Sequence, residues 1–202
     1  MDSGTVSVHT AMADIPPEEW NRCAGPDNPY VWHSHLLALE ESGIVSPENG
    51  FHPRHIVLRD RDGKVVATAP AYLKDHSEGE LGVDLGLAMA HNRAAGPYYP
   101  KLQVEVPMTP IAGPRLLISK DVNEAETRQT LLAALRQQAE KDSASSIQIA
   151  YMTEPEWNAT ESRRRGIDVS NLSRRQPQCR TDGAFFRDVY GDLQLQQNGT
   201  LA

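Results

Sequence analysis

The sequence lacks most of the features that mark secreted and membrane-spanning proteins. Its 202 residues contain only two cysteines, Cys23 and Cys179, which lie far apart and form no CxxC pair. A lone pair of this kind, in a chain without an export signal at its start, is typical of reduced thiols. No stretch reaches the ~20 apolar residues that a bilayer requires. We therefore expect a cytoplasmic protein with no membrane span.

Positive charge is outnumbered by negative charge. Lysine and arginine together number 20, against 27 aspartates and glutamates, so the formal net charge is −7. Because nucleic-acid binding needs clustered lysine and arginine, this balance argues against a strong nucleic-acid surface. The hydrophobic fraction of 39% and the mean hydropathy of −0.51 indicate a core over part of the chain.

Local patterns predict alternating helices and strands. In chain order they are a strand at Thr5–Met12, a helix from Pro16, a helix at about Trp32–Ser42, a hairpin of His55–Leu58 with Val65–Ala69, a helix at Glu78–His91, strands at Lys101–Val106 and Arg115–Ile118, a helix from Asn123 to about Lys141, a strand at Ile147–Tyr151 and a helix at Glu154–Arg164. Asp62-Gly63 supplies the hairpin turn, and Pro70 should end the second strand or place it at an edge. This order predicts an α/β or α+β fold.

The composition changes after about residue 158. Residues 159–202 hold seven arginines, no lysine and five acidic residues, and they end in a polar stretch. Such a segment buries too little apolar surface to fold on its own. We therefore divide the chain into a domain at residues 1–158 and a divergent, poorly ordered tail at 159–202.

The segment Tyr98–Ile118 is a strand interrupted by prolines. Pro107 and Pro110 remove backbone donors from the sheet, so neighbouring strands should separate there. Backbone N–H groups left open at such a break are one way to form an oxyanion or carbonyl notch. The alternative is an edge strand whose prolines only prevent aggregation.

The same segment carries a resemblance to a known family. Other stretches agree with it in order and spacing: Asn28-Pro29-Tyr30, Ser34-His35, Leu39–Gly43, Pro53-Arg54-His55, Ala69–Lys74 and Gly79-Glu80. Together they resemble the FemAB-like peptidoglycan biosynthesis/recognition family, relatives of the GNAT N-acetyltransferases, over about residues 13–158. The resemblance implies a GNAT-like acyltransferase domain with a mixed central sheet and flanking helices. It also implies a second acyltransferase-like domain, so this chain would be a truncated or frameshifted member or a natural short form.

The activity implied by the resemblance is transfer of an acyl or aminoacyl group to an amine of a peptidoglycan precursor or to another small amine. The alternative is a non-catalytic module that recognises the precursor. A GNAT-type donor is held by a glycine-rich loop at a helix N-terminus, but Ser119–Glu124 contains no glycine and two acids. We therefore expect no cofactor in this chain, with acyl-CoA or aminoacyl-tRNA as the donor of the full-length family.

The candidate substrate-binding residues are Tyr98, Tyr99, Lys101, Thr109 and Arg115. Flat aromatic faces combined with positive charge suit a sugar or a nucleotide phosphate. For Lys101 and Arg115 the alternatives are a solvated face or an ion pair with Glu105. No catalytic residue can be assigned from spacing.

Four histidines, His33, His35, His52 and His55, fall within 23 positions. The first two are two residues apart on a predicted helix, so they do not face together, and no cysteine or ordered acid completes a ligand set. We therefore expect no metal site, and we interpret Glu40 with the acid that follows it as a solvated helix edge.

Overall fold

The structure, a computed structural model, describes residues 4–77, 88–89, 92 and 97–161. Its strands are β1 Thr5–His9, β2 Phe51–Pro53, β3 His55–Arg59, β4 Val65–Ala69, β5 Ala71–Lys74, β6 Lys101–Val104, β7 Leu117–Ile118 and β8 Ile147–Ile149. Its α-helices are α1 Pro17–Ala24, α2 His33–Glu41, α3 Glu124–Lys141 and α4 Glu154–Glu161. Short 3-10 turns occupy Met12–Asp14, Pro29–Val31 and Pro47–Asn49.

The strands form two four-stranded sheets. The first has the order β1-β3-β4-β7 and the second the order β2-β5-β6-β8. All neighbours are antiparallel except β6 and β8, which are parallel and are joined by a connection that contains α3. The predicted α/β fold is confirmed, with its strands divided between two sheets.

Pro70 is the point at which the chain passes from one sheet to the other. Ala67 pairs with Ile118 in the first sheet, whereas Ala71 pairs with Val104 in the second. Because proline has no N–H to donate, the junction loses no ladder hydrogen bond there. The Pro70 carbonyl accepts a hydrogen bond from the backbone N–H of Glu105 at 3.2 Å. The prediction that Pro70 ends the second strand is confirmed, because β4 ends at Ala69, and the alternative of an edge strand does not hold, since β4 and β5 are both inner strands.

Helices cover both faces of the first sheet. On one face α3 buries Leu131, Leu132 and Leu135 in a cluster that also contains Leu102 and Ile149 of the second sheet. On the other face α1 and α2 form a second cluster around Trp20, Leu36, Val57 and Leu117. Full burial of a side chain of this size contributes roughly 1.5–3 kcal/mol. The inner strands β3 and β4 are therefore buried on both sides.

Several local predictions are confirmed. The β3–β4 hairpin turns at Gly63, whose φ is 80°, and α3 begins where Asn123 accepts a hydrogen bond from the Glu126 N–H at 3.3 Å. The first strand is shorter than predicted, because it ends at His9. The predicted helix at Glu78–His91 lies outside the described residues except for 88 and 89, which are helical, and most of the predicted tail also lies outside them.

Within the described part of the chain, no helix combines the length and the apolar composition needed to cross a membrane.

Candidate functional site

The prolines of the interrupted segment divide it between the two sheets. β6 lies in the second sheet and β7 in the first, and the loop Pro107–Pro114 connects them. The Gly113 N–H donates to the Tyr151 carbonyl at 2.9 Å, and a Cβ atom on Gly113 would lie 2.2 Å from Asn28 Nδ2. The turn at Asn28 and this loop, both of which carry the family resemblance, therefore touch in the fold.

The backbone donors after the break are bound by a carboxylate from α4. Glu156 Oε1 accepts from the N–H of Leu116 at 2.7 Å and from that of Arg115 at 3.1 Å. Glu156 is 8% exposed, and its burial raises the pKa of its carboxyl group despite these amides and the nearby guanidinium of Arg115. The N–H groups after the break are therefore not left open, because the carboxylate of Glu156 accepts their hydrogen bonds. Sequence reasoning missed Glu156 because nothing in its local pattern indicates a partner so far away in the chain.

Arg115 and Thr109 hold the loop through internal contacts. The Arg115 guanidinium donates to the carbonyls of Ala150 at 2.9 Å, Ile111 at 2.8 Å and Pro114 at 3.1 Å. Burial lowers the pKa of this guanidinium, against the opposite effect of nearby carboxylates. The Thr109 hydroxyl donates to the Pro107 carbonyl at 3.1 Å. Arg115 is 1% exposed, so the solvated face considered for it is wrong.

Tyr98, Tyr99 and Lys101 lie together at the start of β6. The two tyrosine rings are 4.9 Å apart and nearly perpendicular. The Lys101 ammonium lies 4.9 Å and 5.6 Å from their centroids and donates to Gln148 Oε1 at 2.7 Å. The tyrosines are half-buried, whereas Lys101 is 1% exposed, so a solvated face is wrong for Lys101 as well. We call these three residues the aromatic–lysine cluster.

Hydrogen bonds fix the backbone and one hydroxyl of this cluster. Ser145 donates its hydroxyl to the Tyr98 carbonyl at 2.5 Å and its N–H to the Pro100 carbonyl at 2.7 Å. The Tyr99 hydroxyl donates to Ser77 Oγ at 2.7 Å. Aromatic rings held in place before binding lose little conformational entropy when a ligand arrives. The geometry therefore favours recognition by a preformed aromatic surface.

A second polar group is buried beside Pro70, where the sheets meet. We call it the polar junction, and it consists of Glu40, His55, Tyr72, Gln103 and Glu105. The His55 Nε2 and Glu40 Oε1 atoms are 2.8 Å apart, and the rings of His55 and Tyr72 are 5.1 Å apart. Tyr72 pairs with Gln103, which donates to Glu105 Oε2 at 2.5 Å. Side-chain contacts thus join Glu40, His55 and Tyr72, and a hydrogen bond joins Gln103 to Glu105, while Tyr72 and Gln103 are neighbours in the register of β5 and β6.

Three buried polar atoms of the polar junction have no hydrogen-bond partner among the described residues. They are His55 Nδ1, the Tyr72 hydroxyl and Gln103 Oε1. Burial, with a smaller effect of the carboxylates of Glu40 and Glu105, raises the pKa of Tyr72 well above its ordinary value. Unpartnered buried polar groups are uncommon in folded proteins, and they call for a bound water or ligand. The interpretation of Glu40 as a solvated edge is wrong, because its carboxylate contacts His55 and also accepts from the Met12 N–H at 2.8 Å.

The four histidines are held by four different sets of contacts. His33 Nε2 bonds to the Met12 carbonyl at 2.8 Å, and His52 Nε2 bonds to Asp75 at 2.9 Å. His35 packs edge-on against Tyr30, and His55 belongs to the polar junction. In the part of the chain that the structure describes, no group of three metal-binding side chains is present.

A cleft of about 610 Å³ lies at the start of α3. Its walls are the end of α1 and the turn before α3, and its charged lining residues are Arg22, Asp27, Lys120, Asp121 and Glu124. Asp121 binds Lys64 at 3.0 Å. Acidic residues at a helix start occupy the positive end of the helix dipole, so they disfavour a phosphate there. That no cofactor binds at this turn stays a prediction.

These features define a mixed α/β domain with two polar sites, one lined by aromatic rings and one buried between the sheets. A comparison with protein families matches residues 11–179 to the FemAB-like family, described as peptidoglycan biosynthesis/recognition. The match covers most of the chain, so the protein belongs to this family, whose fold is GNAT-like. No curated protein and no solved structure matches it. The division of the chain at residue 158 stays a prediction.

Proposed function

We propose that this chain is the acceptor-binding part of an acyl- or aminoacyl-transferase that acts on an amine of a peptidoglycan precursor. Membership of the FemAB-like family supports the precursor as the class of ligand. The observation that carries the proposal is the aromatic–lysine cluster, in which Tyr98 and Tyr99 stand in fixed, perpendicular orientations beside a buried ammonium.

The cluster has the chemistry that a precursor made of sugar and phosphate or carboxylate groups needs. The faces of Tyr98 and Tyr99 offer flat apolar surface to a sugar ring, and their hydroxyl groups offer polar contacts at its edge. Lys101 lies within 3.4 Å of the Tyr98 hydroxyl and adds positive charge, which attracts an anionic substituent. Small-molecule sites are typically lined by aromatic and apolar side chains together with a small number of polar groups.

The sequence at the start of α3 supports the expectation that an acyl donor binds elsewhere and not at this helix N-terminus. Its turn has no glycine, and Asp121 and Glu124 line the cleft beside it. Without glycine the backbone cannot approach a pyrophosphate closely, and the two carboxylates repel it. We expect the purified chain alone to release no thiol from acyl-CoA, which a colorimetric thiol assay measures. Release of thiol that depends on the chain would contradict this expectation.

Binding of a nucleotide-linked muramoyl peptide, measured by isothermal titration calorimetry, tests the acceptor site. Replacing Tyr98 or Tyr99 by alanine should weaken binding by about tenfold or more, as for a central aromatic contact. Tyr30→Ala is the matched control, because Tyr30 is an exposed tyrosine outside the cluster. Unchanged affinity in both cluster variants would contradict the proposed site.

A non-catalytic recognition module is the second candidate, and the acidic turn before α3 favours it. Thermal unfolding separates the candidates, because a ligand that binds the folded state raises the melting temperature. Stabilisation by the muramoyl peptide but not by acyl-CoA, with no transfer when any acyl donor is added, supports recognition alone. No stabilisation by either ligand supports a fragment without activity.

A further inference from the structure

The strand β1 lies at an edge of the first sheet and lacks the usual protections of an edge strand. Among the described strands, β1, β7, β2 and β8 end the two sheets. β7 has two residues, β2 and β8 have three each, and β2 contains Pro53, whereas β1 has five residues. Short length, proline and charge keep natural edge strands from pairing with other chains. From Gly4 to Thr10 the sequence contains no proline, lysine, arginine, aspartate or glutamate.

Two valines of β1 carry the apolar face of the sheet out to this edge. Val6 and Val8 pair with Leu58 and Ile56, which are buried in the cluster beneath α3. The valines themselves are 39% and 36% exposed, and they are among the large hydrophobic side chains that solvent reaches. The edge of the sheet is therefore apolar on the face that α3 covers further in.

The hydrogen bonds across the sheet show which backbone groups of its inner strands are already used. In an antiparallel sheet, opposite residues alternate between hydrogen-bonded and non-hydrogen-bonded pairs. The Ser119 N–H donates to the Val66 carbonyl of β4, so Leu117, two residues earlier, also points its backbone groups toward β4. Leu117 pairs with Thr68, which therefore directs its own groups to β7. Thr68 and Val57 are then a non-hydrogen-bonded pair.

The same alternation decides the direction of the backbone groups in β1. Val57 does not bond to β4, so it directs its N–H and carbonyl to β1, where it pairs with Ser7. Ser7 therefore uses its backbone groups inside the sheet. Val6 and Val8, on either side of it, point theirs away from β3. The exposed edge thus offers two N–H donors and two carbonyl acceptors, spaced two residues apart.

We propose that β1 pairs with β1 of a second copy of this chain, in antiparallel orientation, about a two-fold axis at Ser7. In this register Val6 of each copy lies opposite Val8 of the other, and each of these pairs exchanges two hydrogen bonds. All five residues of β1 overlap, and Thr5 lies opposite His9. The two first sheets become one continuous sheet of eight strands.

The sequence of β1 matches itself in this arrangement. The outward backbone groups meet only outward groups, and the four valines contact each other across the join on one face. Since the chain carries a net charge of −7, two copies repel each other at long range, and an uncharged strand is the place where they can approach. One short strand from each copy makes a small interface, so we expect a dissociation constant on the order of 10 μM.

This inference is independent of the proposed function, because the aromatic–lysine cluster lies in the second sheet. Sedimentation velocity of the full chain, between about 1 and 200 μM, measures the association. Val6→Lys places a charge opposite the other copy's valine, so we expect it to weaken dimerisation at least about tenfold. Ile44→Lys is the matched control, because Ile44 is 42% exposed and lies between α2 and β2. A wild-type chain that stays monomeric overturns the proposal, and so does a Val6→Lys chain that dimerises like the control.

Cross-linking tests the position of the two-fold axis. Ser7→Cys places two thiols directly opposite each other, with Cα atoms about 4.5 Å apart, a distance that a disulfide spans. Thr5→Cys is the control, because the same register separates its two copies by four residues, or about 13 Å. Both changes are made in a Cys179→Ser chain, in which the remaining native cysteine, Cys23, is buried.

Oxidised glutathione is the oxidant, and non-reducing electrophoresis measures the covalent dimer. We expect Ser7→Cys to form this dimer at least about tenfold faster than Thr5→Cys. Equal rates for the two variants, or no covalent dimer with Ser7→Cys, overturn the pairing of β1 about Ser7.

Discussion

At the scale of single residues, Glu156 is a buried side chain that binds two backbone N–H groups at once. Its carboxylate satisfies the N–H groups of Arg115 and Leu116, which are otherwise buried without a partner. Each unsatisfied buried donor costs about 1–3 kcal/mol. We predict that Glu156→Ala lowers the free energy of unfolding by about 2–5 kcal/mol, measured by urea denaturation. Glu154→Ala, an exposed acid in the same helix, is the control and should change it by less than about 0.5 kcal/mol.

The same carboxyl group predicts a pH dependence of stability. Burial raises the pKa of Glu156 in the folded protein above its ordinary value of 4.5. A raised pKa means that the folded state binds the proton more tightly, so stability is greatest below the unfolded pKa and falls as the pH rises through the folded pKa. The unfolding free energy of the wild type, relative to that of Glu156→Gln, should therefore increase as the pH falls from about 7 to about 4. A decrease in this relative free energy over the same pH range would show that the amide hydrogen bonds, which lower the pKa of Glu156, have a larger effect than burial, which raises it.

Cys23 should react slowly with thiol reagents. Its Sγ atom is buried near the Val65 carbonyl, and burial raises the pKa of its thiol to about 11. Only the thiolate reacts, so very little reactive form exists near pH 8. In a Cys179→Ser chain, we predict that Ellman's reagent labels Cys23 slowly under native conditions and within seconds in denaturant. Equally fast labelling in both conditions would contradict this burial.

At the scale of elements, the contact between Gly113 and Asn28 joins the loop Pro107–Pro114 to the N-terminal region. A Cβ atom at residue 113 would overlap the Asn28 amide, so we predict that Gly113→Ala destabilises the fold by roughly 1–3 kcal/mol. Asn28→Ala removes the obstructing group, and the double variant should be more stable than the sum of the two single effects. Additive effects of the two substitutions on the free energy of unfolding, measured by denaturant titration, would contradict a steric overlap between residue 113 and Asn28.

The elements that sequence predicted best are those with local signals. Asp62-Gly63 forces a tight turn between two apolar runs, and Asn123 caps α3, so both were predicted from their own neighbourhoods. Pro70 was correctly predicted to end the second strand, but its position between two sheets was not predicted, because a proline at a sheet edge and a proline between two sheets leave the same pattern in the sequence. The burial of Lys101 was not predicted, since burial depends on what covers the strand.

At the scale of the whole molecule, the two hydrophobic clusters share strands and should unfold together. Trp20 belongs to the cluster formed with α1 and α2, and Trp157 belongs to the cluster beneath α3. We predict that Leu135→Ala, which removes a fully buried side chain of α3, lowers the unfolding free energy by about 2–5 kcal/mol. In this variant, the fluorine resonances of labelled Trp20 and Trp157 should report unfolding at the same, lowered denaturant midpoint. Separate midpoints would mean that the two faces of the first sheet are independent.

The candidate sites show why function was harder to predict than fold. Tyr98, Tyr99 and Lys101 are nearly consecutive, so their cluster was visible in the sequence. The polar junction draws its members from α2, β3, β5 and the end of β6, and each of them alone has an ordinary explanation. Its character arises only when the Pro70 crossing brings those elements together.

The buried carboxylate of Glu156 in α4 also limits how far the coding sequence can be truncated from its 3′ end. A chain that stops before Glu154 loses the counter-ion of Arg115 and the acceptor for two amides in one step. A folded unit of this chain therefore has to include Glu156 of α4. We therefore expect a natural stop codon or frameshift upstream of α4 to yield an unstable product that the cell degrades.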